Sequence, residues 1–335
     1  MRIAIIGGGG WGLALAKLLH DNHHSVIVWE HNPGFVKILQ NTHSNPHLLK
    51  GVSLPHAVRF TDDFNAIVNE QSDVLLLATP SQFIRSTLRK IPSELWESPN
   101  LKAVVNVAKG IEDGSLQTID AILKEELPDH LSHLICALSG PSHAEEVAKR
   151  LPTTVVIAGS NEDLLKQLQE AFSNSYFRVY RSDDLIGVEI GGAVKNIIAI
   201  AAGIIRGLGF GDNTIGALLT RGIVEISRLG IAMNARPETF LGLSGIGDLI
   251  TTATSPHSRN RHVGVEIGKG RRLTDILSEM SMVAEGVTTT RSVHMLARKL
   301  GVDMPIVDQV YAVLFEDKPP LDAISELMTR ELKAE

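Results

Sequence analysis

Residues 2–22 read RIAIIGGGGWGLALAKLLHDN. The apolar run Ile3 to Ile6 has the character of a buried strand, glycines fill positions 7, 8, 9, 10 and 12, and WGLALAKLLHDN then carries a helical pattern. The GxGxxG spacing assigns a task to three of the glycines. Gly7 permits a tight turn, Gly9 lets the backbone approach a pyrophosphate, and Gly12 allows the helix to pack closely on the strand. A glycine-rich turn without a ligand is the bland alternative. The next strand, SVIVWE, ends on Glu30, where a carboxylate can accept hydrogen bonds from an adenosine ribose. Strand, glycine turn, helix and acid in register favour dinucleotide binding. Glu30 suits the free ribose hydroxyls of NAD and repels a 2′-phosphate, whereas a protonated His31 could meet that phosphate. The expected cofactor is NAD or NADP, with NAD preferred because of Glu30.

Outward from this unit, SDVLLLATP (72–80), KAVVNVAKG (102–110), LICALSG (134–140) and TTVVIAGS (153–160) are further strand-like runs. Continuous apolar runs belong to strands buried on both faces, as in a parallel sheet flanked by helices. This predicts an α/β chain whose N-terminal part is a Rossmann-type doubly wound sheet. From about Ser182 strand signals cease, and LIGVEIGGAVKNIIAIAAGIIRGLG (185–209) opens a helical region. Glu189, Lys195 and Asn196 interrupt that apolar stretch, so a buried core helix is expected rather than a membrane span. The expected domains are residues 1–182, binding the dinucleotide, and residues 183–335, a helical C-terminal domain binding the substrate.

Composition narrows the partners. With 32 Lys+Arg against 38 Asp+Glu, a net charge of −6 and only 4% aromatics, the 335-residue chain lacks the basic footprint and stacking rings that nucleic acid requires. Its single cysteine, Cys136, excludes an internal disulfide and a cysteine-based zinc site, which points to the cytoplasm. The N-terminal apolar run is too short for a signal peptide. Seven of the thirteen histidines lie between His20 and His56, but only His20, His23 and His24 have helix-like spacing, so no metal is expected. The long apolar helices carry more hydrophobic surface than a small helical domain buries alone, and a homodimer is expected through them.

Two lysines stand out. Gly191 and Gly192 precede Lys195 by about one helical turn and Ala199 follows by one, so the amine projects from a face stripped of bulk, with room for a flat ring and a small substrate. Val194, Ile197, Ile198 and Ile200 would desolvate the ammonium and favour the neutral amine, as a general base requires. A snorkelling lysine at a helix crossing is the alternative. Lys109 follows the strand KAVVNV, and Gly140 and Ser142 follow LICAL. Both sets lie at carboxyl ends of strands, where ligands bind open α/β sheets, although ordinary turns and a solvated charge would look the same. Downstream, Ser258 reads as a helix N-cap followed by Arg259, Asn260 and Arg261. Cations in a first turn oppose the helix dipole unless an anion is present, and this set of donors suits a phosphate. Asp248, among apolar and glycine residues, could cap a helix, hold a lysine or take a substrate hydroxyl.

In sequence order, GxGxWG (7–12), AKG (108–110), GPS (140–142), VKN (194–196), GFGDN (209–213), TRG (220–222), GDL (247–249), SRNR (258–261) and EG (285–286) resemble the bacterial-type NAD(P)-dependent glycerol-3-phosphate dehydrogenases, from Arg2 to about Leu314. The resemblance implies interconversion of sn-glycerol 3-phosphate and dihydroxyacetone phosphate, supplying glycerol 3-phosphate for phospholipid synthesis. It implies that Lys195 accepts the hydroxyl proton and that Lys109 touches both substrate and cofactor. It further implies that Gly140, Ser142, Asp248, Ser258, Arg259 and Asn260 line the substrate. Gly10, Trp11, His31, Ala144, Arg259, Val283 and Glu285 would contact the dinucleotide. Serine is usual in the family where Gly10 stands, and a small residue where Glu30 stands. Two other functions fit the residues: a two-domain dehydrogenase of hydroxy acids or sugar acids, and a non-catalytic sensor of dinucleotide redox state. The set Lys109, Lys195, Asp248 and Arg259 exceeds what a sensor needs.

Overall fold

The computed structural model describes residues 1–45, 47–280, 283–332 and 334. Its sheet has eight strands: β1 Arg2–Ile6, β2 Ser25–Trp29, β3 Arg59–Thr61, β4 Val74–Leu77, β5 Ala103–Asn106, β6 Ile135–Ser139, β7 Thr153–Gly159 and β8 Phe177–Ser182. They lie in the order 3-2-1-4-5-6-7-8. Because β1 sits between β2 and β4, the order reverses at its carboxyl end, where Gly7 begins. In doubly wound sheets that reversal point is where ligands enter.

Side chains of β1 and β2 alternate between two cores. Ile3, Ile5, Val26 and Val28 pack on one face, Ala4, Ile6, Ile27 and Trp29 on the other. Burial on both faces is the physical reason these strands read as continuous apolar runs. Two strands escape that signal. β3 is only three residues long, and β8 alternates buried and exposed positions at the sheet edge. The expectation of a parallel sheet also needs correction, because β7 runs antiparallel to β6 while every other pairing is parallel. An apolar run carries no information about strand direction.

The chain divides into two compact units. One comprises Met1–Lys109 and Gln117–Glu189, the other Gly110–Leu116 and Ile190–Glu335. The helix Leu185–Gly207 begins in the first unit and continues in the second, and its most apolar window is long enough to cross a membrane but wholly buried in the protein. Within the second unit, the glycines of this helix serve packing. A Cβ on Gly203 would lie 2.1 Å from the Arg261 carbonyl oxygen, and one on Gly264 would lie 2.0 Å from that of Ile200. Bare backbone therefore meets bare backbone where this helix crosses Arg259–Gly268.

A buried acid secures another helix pair in this unit. Glu225, on the helix Asp212–Ala232, accepts hydrogen bonds from the backbone N–H groups of Ile306 (2.8 Å) and Val307 (3.3 Å) at the start of Pro305–Phe315. It thus supplies from a neighbouring helix the cap that Met304 cannot. Burial pushes its carboxyl up to about 7 despite those donors. The folded protein then holds a proton that the unfolded chain releases near 4.5, so this contribution to stability is complete at low pH and is lost as pH rises through about 7. The shift corresponds to about 3 kcal/mol. Urea unfolding at about pH 5 and about pH 8 should show this decline in the wild type and a flatter dependence in Glu225→Gln; equal slopes would contradict the assignment.

Candidate active site

The turn after β1 is shaped by close contacts. Gly7 has φ +121°, and a Cβ there would lie 2.7 Å from the carbonyl carbon of Ala78, at the end of β4. A Cβ on Gly12 would lie 2.1 Å from the Gly7 carbonyl oxygen, whereas one on Gly9 would meet nothing within 4 Å. These environments match the separate roles expected for the three glycines. Gly10 neighbours Ala144, its Cβ position lying 3.8 Å from that of Ala144, so two of the implied dinucleotide contacts are brought together. Beside the turn, the buried Trp11 Nε1 and Thr79 Oγ1 have no hydrogen-bond partner among the described residues. An open Gly9 and two unspent polar groups fit a ligand rich in acceptors, as a pyrophosphate is.

Glu30 has a use beyond the one its position suggested. Its carboxylate is buried and accepts the backbone N–H groups of Gly8 (3.0 Å) and Asn32 (3.1 Å), and Nδ1 of His31 lies 2.6 Å from Oε1. The acid therefore fixes the glycine turn. His31, largely exposed, is the residue of the pair left to face a cofactor.

Lys109, Gly140 and Ser142 form one cluster in the first unit. Lys109 Nζ donates to the Gly140 carbonyl oxygen at 2.9 Å and lies 3.5 Å from Ser142 Oγ, which itself donates to Gly140 at 2.9 Å. Gly140, at φ +134°, turns its carbonyl toward the lysine with no room for a side chain, since a Cβ would lie 3.0 Å from Val155 Cα.

In the second unit Lys195 is 5% exposed, and its Nζ lies 2.6 Å from Asp248 Oδ1 and 2.6 Å from Thr252 Oγ1. Asp248, at 1% exposure, begins the helix Asp248–Thr254 and holds the lysine. The apolar surroundings expected around the amine are thus joined by a carboxylate. Gly191 also departs from expectation. A Cβ there would lie 2.6 Å from the Ser244 carbonyl oxygen, so that side of the helix is filled by backbone and not held open for a substrate.

At the start of Arg259–Gly268, Ser258 caps the helix by accepting the Arg261 N–H (3.2 Å), and no acidic residue occupies the first turn. The first N–H groups, those of Arg259 and Asn260, have no acceptor within the helix. The exposed Arg259 guanidinium donates to the Val283 carbonyl oxygen at 2.9 Å. Asn260 Oδ1 accepts the Gly286 N–H at 2.9 Å. Val283 and Glu285, named only through resemblance, thus lie on the segment that Arg259 and Asn260 tie down.

Thr252 escaped sequence reading. It is 4% exposed, and besides accepting from Lys195 it donates to Asp248 Oδ1 at 3.1 Å. The available signal was the four-residue spacing from Asp248, which places both on one helix face.

Comparison with known proteins agrees along the chain. The family described as NAD-dependent glycerol-3-phosphate dehydrogenase matches residues 2–165 with its N-terminal part and 184–325 with its C-terminal part. A relative from Prosthecochloris aestuarii, named glycerol-3-phosphate dehydrogenase (NAD(P)+), is 51% identical, with 100% of both chains covered. One of the same name from Geobacter sp. (strain M21) is 49% identical, covering 100% of this chain and 98% of its own. The crystal structure of glycerol-3-phosphate dehydrogenase from Coxiella burnetii superimposes with a TM-score of 0.91 at 34% identity, covering 98% of this chain and 99% of its own.

Proposed function

The chain belongs to the NAD-dependent glycerol-3-phosphate dehydrogenase family and interconverts sn-glycerol 3-phosphate and dihydroxyacetone phosphate with NAD or NADP; from that premise we propose that Lys195 is its proton-transfer group. The observation that carries the proposal is the buried contact of Lys195 Nζ with Asp248 at 2.6 Å. When bound, the nicotinamide supplies or takes up the hydride at the substrate's central carbon. The accompanying proton falls to the protein.

In the reducing direction the Lys195 ammonium hydrogen-bonds the ketone oxygen and gives it a proton as the C–H bond forms, which prevents an alkoxide from building up. Asp248 holds the ammonium in place and Thr252 directs it. In the oxidising direction the neutral amine takes the hydroxyl proton. An ammonium paired with Asp248 is the form that serves reduction.

Lys109, with Gly140 and Ser142, contacts substrate and cofactor. Ser258, Arg259 and Asn260 hold the phosphate through an N-cap, a guanidinium and an amide donor. Binding energy spent there orients the carbon that reacts. Gly7 to Gly12, Ala144 and His31 hold the dinucleotide. Arg259→Ala should raise KM for dihydroxyacetone phosphate roughly tenfold to a hundredfold, as loss of a charge-assisted hydrogen bond implies. An unchanged KM would remove Arg259 from the phosphate site.

We further infer a place in the cytoplasm, where the glycerol 3-phosphate formed supplies phospholipid synthesis; the single buried Cys136 thiol, pushed up to about 12 by burial, accords with a reducing compartment. A homodimer is inferred through the second unit, which exposes Phe210, Ile231, Leu241 and Ile250. Light scattering giving only the monomer mass at micromolar concentration would contradict it.

A further inference from the structure

We propose that Glu189 is a positioning residue for Lys109: its carboxyl group fixes the side-chain amide of Asn106, and that amide closes on the backbone of Ala108 and so sets the turn from which Lys109 projects. The inference rests on the reading of Lys109 as a substrate contact.

Asn106 is the last residue of β5 and is 1% exposed. Its Oδ1 accepts the Ala108 N–H at 2.9 Å, and its Nδ2 lies 3.3 Å from the Ala108 carbonyl oxygen. One side chain thus holds both polar groups of the residue immediately before Lys109. An amide alone can rotate and exchange its two ends. Glu189 prevents this, because its Oε1 accepts from Asn106 Nδ2 at 2.8 Å. Its other oxygen accepts the backbone N–H of Asp120 at 3.1 Å, near the start of the helix Ile119–Glu126. Thr118, the N-cap residue there, makes no capping bond, so Glu189 also anchors an unsatisfied helix end. Both carboxyl oxygens are therefore committed, one to the turn and one to a rigid element.

Burial, followed by the nearby Asp120 carboxylate, holds the Glu189 carboxyl well above the usual range. Glu189 precedes Lys195 on the same helix, so one element carries the proton-transfer group and the group that shapes the turn of the second lysine.

A glutamine at 189 keeps the shape but offers one acceptor oxygen where the acid uses two. The test measures kcat/KM for dihydroxyacetone phosphate, with thermal midpoints, in wild type, Glu189→Gln, Lys109→Ala and the double variant. Glu189→Gln is expected to lower kcat/KM roughly tenfold to a hundredfold, the scale of a small misplacement of a substrate-positioning group. In the Lys109→Ala background the same change is expected to cost less than about twofold, because the group it positions is gone. Asn106→Ser, which keeps a hydroxyl for the Ala108 N–H but cannot reach Glu189, should show the same dependence on Lys109, so the test does not hang on one variant's folding. Equal losses in both backgrounds, or no loss in either, would overturn the proposal. Wild-type kcat/KM in Lys109→Ala alone would remove the substrate contact itself, and the inference with it.

Discussion

Lys195→Met is expected to abolish measurable reduction of dihydroxyacetone phosphate, with kcat down by about a thousandfold or more, while the enzyme still binds NADH. General acid catalysis contributes about a hundredfold to ten-thousandfold, and a preorganised charge facing the developing oxyanion contributes about as much again, with the two overlapping in one group. Methionine matches the lysine stem and preserves packing on the helix Leu185–Gly207. It leaves the Asp248 carboxylate buried with Thr252 as its remaining side-chain partner among the hydrogen bonds described above. Loss of that buried ion pair should destabilise the variant by about 3 kcal/mol, and adding Asp248→Asn should restore most of the stability without restoring turnover. A fluorescence titration with NADH separates binding from chemistry. A variant turning over within tenfold of wild type would exclude Lys195 as the proton-transfer group.

Gly12→Ala should abolish dinucleotide binding and destabilise the first unit by about 3 kcal/mol or more. Its Cβ would lie 2.1 Å from the Gly7 carbonyl oxygen and 3.3 Å from Ala78 Cβ, contacts that only a displaced helix can relieve. Displacement moves the helix N-terminus away from the phosphates it would face. Gly10→Ser is the control on the same turn, because its Cβ meets only ordinary contacts at 3.7 Å and beyond. Thermal melting and NADH affinity should fall together for Gly12→Ala and stay near wild type for Gly10→Ser. Wild-type affinity in Gly12→Ala would mean that the turn does not cradle the cofactor.

What could be read from the sequence follows from what each signal encodes. The stretch from Arg2 to Asn22 specifies strand, turn and helix because backbone sterics restrict positions 7 and 12 to glycine. The long strands were legible because both faces are buried. β3, β8 and the reversal of β7 were not, since shortness, edge exposure and strand direction leave no apolar signature. Lys195 could be singled out from helical spacing, but its carboxylate comes from a residue distant in sequence, and spacing cannot show that Asp248 reaches it. The position of Glu30 at a strand end is visible in the sequence, whereas the Gly8 N–H that its carboxylate accepts is not. Gly191 was misread for a related reason: an absent side chain looks the same whether a ligand or a neighbouring backbone fills the space. Glu189 first served only to argue against a membrane span, and its role emerges from the two N–H groups it holds.

The central claim is hydride exchange on a phosphorylated three-carbon substrate. It is tested most directly by following nicotinamide absorbance with dihydroxyacetone phosphate and NADH, and in parallel with NADPH. Absorbance should be lost with at least one cofactor, matched mole for mole by glycerol 3-phosphate formed, and unphosphorylated dihydroxyacetone should support little of it. A cofactor that binds and is not consumed, or is consumed only with a keto acid, would contradict the account.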